Sequence, residues 1–265
     1  MRYLNTDNVT IETFLGNIPK EVLGADTSGE NEIKGSFLPQ NITDMSIAPD
    51  GLKAFYLLNI GESGVGTSLT LADNKKNQIF DSPFTEWLSL WPNSKMITLT
   101  TKPSGTVLGY MYMIDPVVKK LVKVLGDIAG LTTLASPNAK LVVFSNNNLQ
   151  LSTYDIATKI STSLGVRTLS EKCVWNKLSI IVYCAVPKSI STAVYPDAWY
   201  KGEVSFSDQI WKIDTTNGNT EMLIDPSLVD GGEEVDGIKL GLDENEQYLF
   251  FVNKKDSILW ELKLN

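Results

Sequence analysis

The sequence predicts an all-β fold, a β-propeller of about six blades with four antiparallel strands each. Three observations carry that expectation. An apolar strand, a turn of Pro, Asp, Asn or Gly, and a second apolar strand recur as a unit. A third strand in each unit ends in an apolar-x-apolar-Asp signature, and no segment sustains the 3.6-residue apolar period of an amphipathic helix.

Taken in order, the strand-reversing turns read Ala48-Pro49-Asp50-Gly51, Trp91-Pro92-Asn93, Ser136-Pro137-Asn138, Trp175-Asn176 and Leu242-Asp243-Glu244. Proline presets φ at the second turn position, while Asp, Asn and Gly accept the remaining geometry. The runs that follow, including 54–58, 141–144 and 248–252, are short, β-branched or aromatic, and bounded by polar residues, as buried strands are. The third-strand signature ends at Asp73, Asp115, Asp155 and Asp214, spaced 42, 40 and 59 residues apart. A four-stranded blade has a period of about 40–45 residues, and the long interval carries an insertion at 187–207. One domain, 1–265, is expected, with blades at 1–43, 44–83, 84–129, 130–168, 169–236 and 237–265. The last blade lacks a fourth strand and the first an evident inner hairpin, deficits that suit ring closure through a shared blade. The alternative is a fragment of a seven- or eight-bladed ring.

Composition excludes much chemistry. Without a single histidine, the chain has no Ser-His-Asp or Cys-His catalysis and no histidine-bound zinc or haem. A net charge of −8 with two arginines, Arg2 and Arg167, disfavours nucleic acid as a partner. No apolar run is long enough to span a membrane. Met1 directly precedes the strand-like Arg2-Tyr3-Leu4, as if the chain began within a repeat, so an upstream signal or membrane anchor is compatible with the sequence.

The hairpins and Asp-terminated strands over about residues 44–263 resemble the WD-like repeats of TolB-like proteins and of the propeller domain in prolyl-oligopeptidase-type peptidases. More narrowly, 82–87, Glu171-Lys172-Cys173-Val174-Trp175, 183–187 and Phe206-Ser207-Asp208 through Asp214 are similar to an uncharacterised group of propeller proteins from candidate-phylum bacteria. Members of that group carry an upstream membrane helix, so the resemblance implies a location outside the cytoplasm.

Few residues suggest chemistry. Gly61-Glu62-Ser63-Gly64-Val65-Gly66 has the glycine density of a phosphate loop, but no Lys-Ser/Thr follows, and a hairpin loop is expected. No calcium-loop pattern occurs, and neither a metal nor a cofactor is expected. The repeated Asp residues read as turn caps rather than an axial carboxylate ring. Cys173 and Cys184 fall in the two strands of one hairpin. A turn centred on Lys177-Leu178 would set Cys173 opposite Val182, so a disulfide needs a shifted register, and two buried thiols are the alternative. The insertion places Tyr195, Asp197, Trp199, Tyr200 and Phe206 in a loop too long for a blade connection. Those residues serve either as anchors for a partner or as a cover for their own blade. The expected function is a non-catalytic binding or scaffold propeller outside the cytoplasm, with a protein or glycan partner. A carbohydrate-active enzyme using axial Asp/Glu pairs, and the propeller half of a peptidase, are the alternatives.

Overall fold

A computed structural model describes residues 2–17 and 33–264. Part of the first expected blade, residues 18–32, lies outside them. Six small antiparallel sheets surround an axis as a six-bladed β-propeller. The first is β1 (Arg2–Leu4), β2 (Ile11–Asn17) and β3 (Lys34–Phe37). The second is β4 (Ile42–Ile47), β5 (Lys53–Ile60), β6 (Ser63–Thr70) and β7 (Lys76–Ser82). The third is β8 (Trp87–Asn93), β9 (Met96–Thr101), β10 (Leu108–Ile114) and β11 (Leu121–Ala129). The fourth is β12 (Thr132–Ala135), β13 (Leu141–Ser145), β14 (Gln150–Asp155) and β15 (Ser161–Arg167). The fifth is β16 (Cys173–Trp175), β17 (Ile181–Pro187), β18 (Asp208–Asp214) and β19 (Thr220–Ile224). The sixth is β20 (Gly237–Leu242), β21 (Tyr248–Asn253) and β22 (Leu259–Lys263).

Each sheet is a meander whose strands pair in sequence order. Residues from β4, β8, β12, β16 and β20 wall one axial cavity, which identifies these as the inner strands. The core lies between blades. Phe55, Leu57 and Phe80 of the second pack on Trp87, Trp91 and Leu99 of the third. Val143 and Leu151 of the fourth likewise meet Trp175 and Val182 of the fifth. Among the described residues no helix is long and apolar enough to cross a membrane.

The turn chemistry follows the residues. Gly51 takes φ +68° between β4 and β5, a left-handed conformation that glycine adopts without strain. The four repeated aspartates cap turns: Asp115 Oδ1 accepts from the N–H groups of Val117 (2.7 Å) and Val118 (2.9 Å), and Asp155 Oδ1 does the same for Ala157 and Thr158.

Three expectations are corrected. The glycine-rich stretch is only partly a loop, because Ile60 pairs with Ser63 and the turn needs just Gly61 and Glu62. Ser63–Gly66 continue as strand β6, where a Cβ on Gly66 would lie 2.4 Å from the Phe55 ring. Among the described residues no blade is shared between the chain's two ends, since β1–β3 and β20–β22 form separate sheets. Finally, Cys173 pairs directly with Cys184, not with Val182. The loop between β16 and β17 is longer than a two-residue turn: Asn176 Oδ1 accepts from the N–H groups of Ile180 and Ile181, and Ser179 turns left-handed at φ +61°.

Candidate functional site

In a meander, the inner strands begin at the same end of the ring as the loops between second and third strands turn. The insertion, between β17 and β18, therefore stands at the mouth of the axial cavity. Lys188 N–H donates to the Ser207 carbonyl (2.8 Å) and closes its base. Its one helical turn, α1 (Asp197–Tyr200), reaches the third blade, where Asp197 accepts from the Gly105 N–H (2.6 Å) and the Ser104 hydroxyl (3.1 Å). Partial burial opposes the Asp197 charge, but these bonds outweigh it and hold the carboxyl below its ordinary value. Gly105 has to be glycine, because a Cβ there would sit 2.3 Å from the Tyr195 carbonyl oxygen. The insertion is thus a strap from the fifth blade to the third. On the other side, Lys254 in the turn between β21 and β22 donates to the Trp199 carbonyl, which ties in the sixth.

Beneath the strap lies a buried ionic cluster. Lys172, fully buried, meets Asp208 at 2.7 Å and also contacts Asp236. Asp236 accepts further from Trp199 Nε1 (2.9 Å), Phe206 N–H (3.0 Å) and the Ser205 hydroxyl (3.1 Å). The two carboxylates diverge. Burial works against the charge of Asp236, yet Lys172 and the converging donors keep its carboxyl below the ordinary value. Asp208 is pushed up by burial and by the neighbouring Asp236, and its Oδ1 has no hydrogen-bond partner. Lys172 Nζ also lies 5.1 Å from the Phe206 ring and 5.2 Å from that of Trp199, and Lys254 Nζ lies 3.9 Å from the Trp199 ring.

The sequence-derived residues therefore divide. Tyr195, Trp199 and Phe206 are 3%, 5% and 2% exposed and pack in the strap's interior with Leu149 of the fourth blade and Leu169 at the start of the fifth. Asp197 is the strap's tether. Tyr200 is 38% exposed and turns into the cavity. Sequence reasoning missed Tyr200's partner, Glu171, which accepts its hydroxyl at 2.5 Å. The motif 171–175 was a signal for it, but nothing there separates a cavity-facing carboxylate from an ordinary solvated one.

The cavity encloses about 380 Å³ and is walled by Asp44, Ser89, Thr100, Thr133, Glu171 and Lys239 among others, with leucines between them. Glu171 is exposed and lines the cavity. Desolvation raises its carboxyl above the ordinary value despite the nearby Lys172 and Lys254. Burial and the Glu171 charge raise the Tyr200 phenol in turn. Lys239 enters from a β-bulge in β20, where the register slips between Ile238 and Gly241 and Lys239 adopts φ +53°. Bulges and left-handed non-glycine residues re-aim side chains, often at functional sites. Among the described residues no three His, Cys, Asp or Glu side chains converge as a metal-binding group.

A carboxyl raised on folding binds its proton more tightly in the folded state. The stability Glu171 contributes is therefore present at low pH and lost as pH rises from about 4.5, its ordinary value, through the raised one. Glu171→Gln keeps an acceptor for Tyr200 and loses the charge. Its stability relative to the wild type should increase with pH in denaturant titrations, and a pH-independent difference would contradict the assignment.

Cys173 and Cys184 form a disulfide across adjacent strands, 11 residues apart in sequence, with Cys173 on the cavity wall. In the chain-entropy account such a short closure stabilises by roughly 2–3 kcal/mol. Reduced protein should lose about that much, and alkylation of both thiols in never-reduced protein, read by intact mass, would contradict the bond.

No protein-family model matches the sequence, and no curated protein does. Among solved structures, similar folds include TolB from Acinetobacter baumannii, at TM-score 0.57 and 13% identity over 84% of this chain and 51% of that one. The β-propeller domain of the Trilobed protease from Pyrococcus furiosus aligns at TM-score 0.59 and 9% identity over 97% and 78%. An oligogalacturonate lyase in complex with manganese aligns at 0.57 and 9% over 100% and 76%. The chain spans about half of the first of these and 26% of the tricorn protease, another similar structure. Identities this low show a shared propeller fold, with TolB-like proteins among its neighbours.

Proposed function

We propose that this protein is a non-catalytic binding or scaffold propeller acting outside the cytoplasm, which holds a protein or glycan partner at the strapped end of its axial cavity. The observation that carries the reading is the Glu171–Tyr200 pair: two polar groups facing a shaped cavity and fixed in place by a strap tied to three other blades. Pre-set groups on a rigid scaffold are what recognition requires. The Cys173–Cys184 disulfide supports an oxidising compartment, and the resemblance to anchored candidate-phylum propellers supports a membrane-tethered setting. Affinity capture from an extracytoplasmic extract tests the reading. The wild type and Leu178→Ala, altered at the far end of the ring, should retain a partner that Tyr200→Ala and Glu171→Gln lose, whereas retention by all four would overturn it.

One observation favours a second reading. Glu171 is a carboxyl held above its ordinary value in a cavity that also contains Asp44, and a pair of carboxyl groups across a pocket is the equipment of sugar cleavage. A glycan-hydrolysis screen separates the readings: turnover abolished in both Glu171→Gln and Asp44→Asn would establish the enzyme.

A further inference from the structure

Building on that reading, we infer that the axial cavity takes the end of a neutral glycan, hydrogen-bonded by Glu171, Asp44 and Lys239 from its wall. The hydroxyl groups of the wall are largely spent as donors. Ser89 Oγ donates to Asp44 Oδ2 (2.7 Å), Thr100 and Thr133 share one bond (2.6 Å), and the Tyr200 hydroxyl goes to Glu171 Oε1. What they and the carboxylates present to the cavity is mainly lone pairs. Asp44 Oδ1 and Glu171 Oε2 accept from no described protein group, and Lys239 is the cavity's strong donor. An acceptor-rich wall selects a ligand rich in O–H donors, and each sugar hydroxyl can donate to a carboxylate while accepting from Lys239. Leu88, Leu90, Leu134 and Leu240 supply apolar wall between these groups, suited to the C–H faces of a pyranose.

Charge decides against the other polar classes. Neither arginine reaches the cavity, and Lys239 stands against two carboxyl groups, so a uronate or a phosphorylated sugar would meet repulsion without a bidentate partner. Lys239 in turn opposes a simple ammonium ligand.

Titration calorimetry of the intact protein tests this with maltotriose, cellotriose and chitotriose as neutral probes, trigalacturonate as the acidic probe, and lysine and glycine as amine probes. At least one neutral probe should bind, and its affinity should fall about tenfold or more in both Glu171→Gln and Lys239→Ala, the loss expected for a hydrogen bond to a charged group. Cooperative thermal unfolding would confirm that these variants fold. Binding of trigalacturonate or an amino acid in place of the neutral sugars would overturn the inference. So would silence of every probe; a protein cross-linked to the Tyr200 position would then leave the broader binding reading standing, and its absence would remove both.

Discussion

Lys172→Ala is expected to destabilise the protein by about 3–5 kcal/mol, the usual penalty for removing one member of a buried ionic group. The ammonium is fully buried between Asp208 and Asp236. Its loss leaves two carboxyl groups facing each other without a cation, in a place water does not reach. Asp236 retains donors from Trp199, Ser205 and Phe206, while Asp208 keeps only the Gly237 N–H. The cost should therefore fall mainly on Asp208. Adding Asp208→Asn to Lys172→Ala should recover part of the stability, a coupling that a double-mutant cycle measures. Chemical denaturation of the three variants provides the test. A Lys172→Ala loss below about 1 kcal/mol, the range of a surface ion pair, would mean that the cluster is hydrated.

Trp199→Ala should cost a comparable amount, about 3–5 kcal/mol, since it deletes a buried aromatic at the centre of the strap. The indole packs in a cluster with Tyr195 and Phe206, has two lysine ammoniums near its ring, and donates to Asp236. Its removal empties a cavity and takes one donor from the ionic cluster. For a chain of this size the melting temperature should drop by roughly 10 °C. The neighbouring substitution, Tyr200→Ala, removes a side chain that turns into the cavity and should cost no more than about 1 kcal/mol. Equal losses at the two positions would show that the strap does not separate core from site in this way.

That contrast explains how far the sequence could be read. The blades were legible because a propeller repeats one hairpin, and Pro49-Asp50-Gly51 or the Asp115 and Asp155 turns state their geometry locally. The Cys173–Cys184 register was not, because it depends on a serine, Ser179, in a left-handed conformation that its identity does not announce. The insertion stood out as a break in the repeat, yet not the division of labour within it. Trp199 and Tyr200 are adjacent, as are Glu171 and Lys172, and in each pair one side chain enters the interior while the other faces the cavity. Burial of that kind is set by the crossing of a strap over three blades, a long-range fact that residue type does not encode. Lys239 was hidden for the same reason, since a lysine on a strand reads as solvated until its bulge is seen.

Site-specific photo-cross-linking tests most directly whether recognition occurs at the strapped end. A benzophenone amino acid replaces Tyr200 in one variant and Leu178, in the hairpin turn at the opposite end, in the other, and both are irradiated with the extracytoplasmic extract that contains the partner. The expected result is a discrete adduct from position 200 and none from position 178. Adducts from position 178 alone, or from neither position while the partner still binds, would place recognition elsewhere on the propeller.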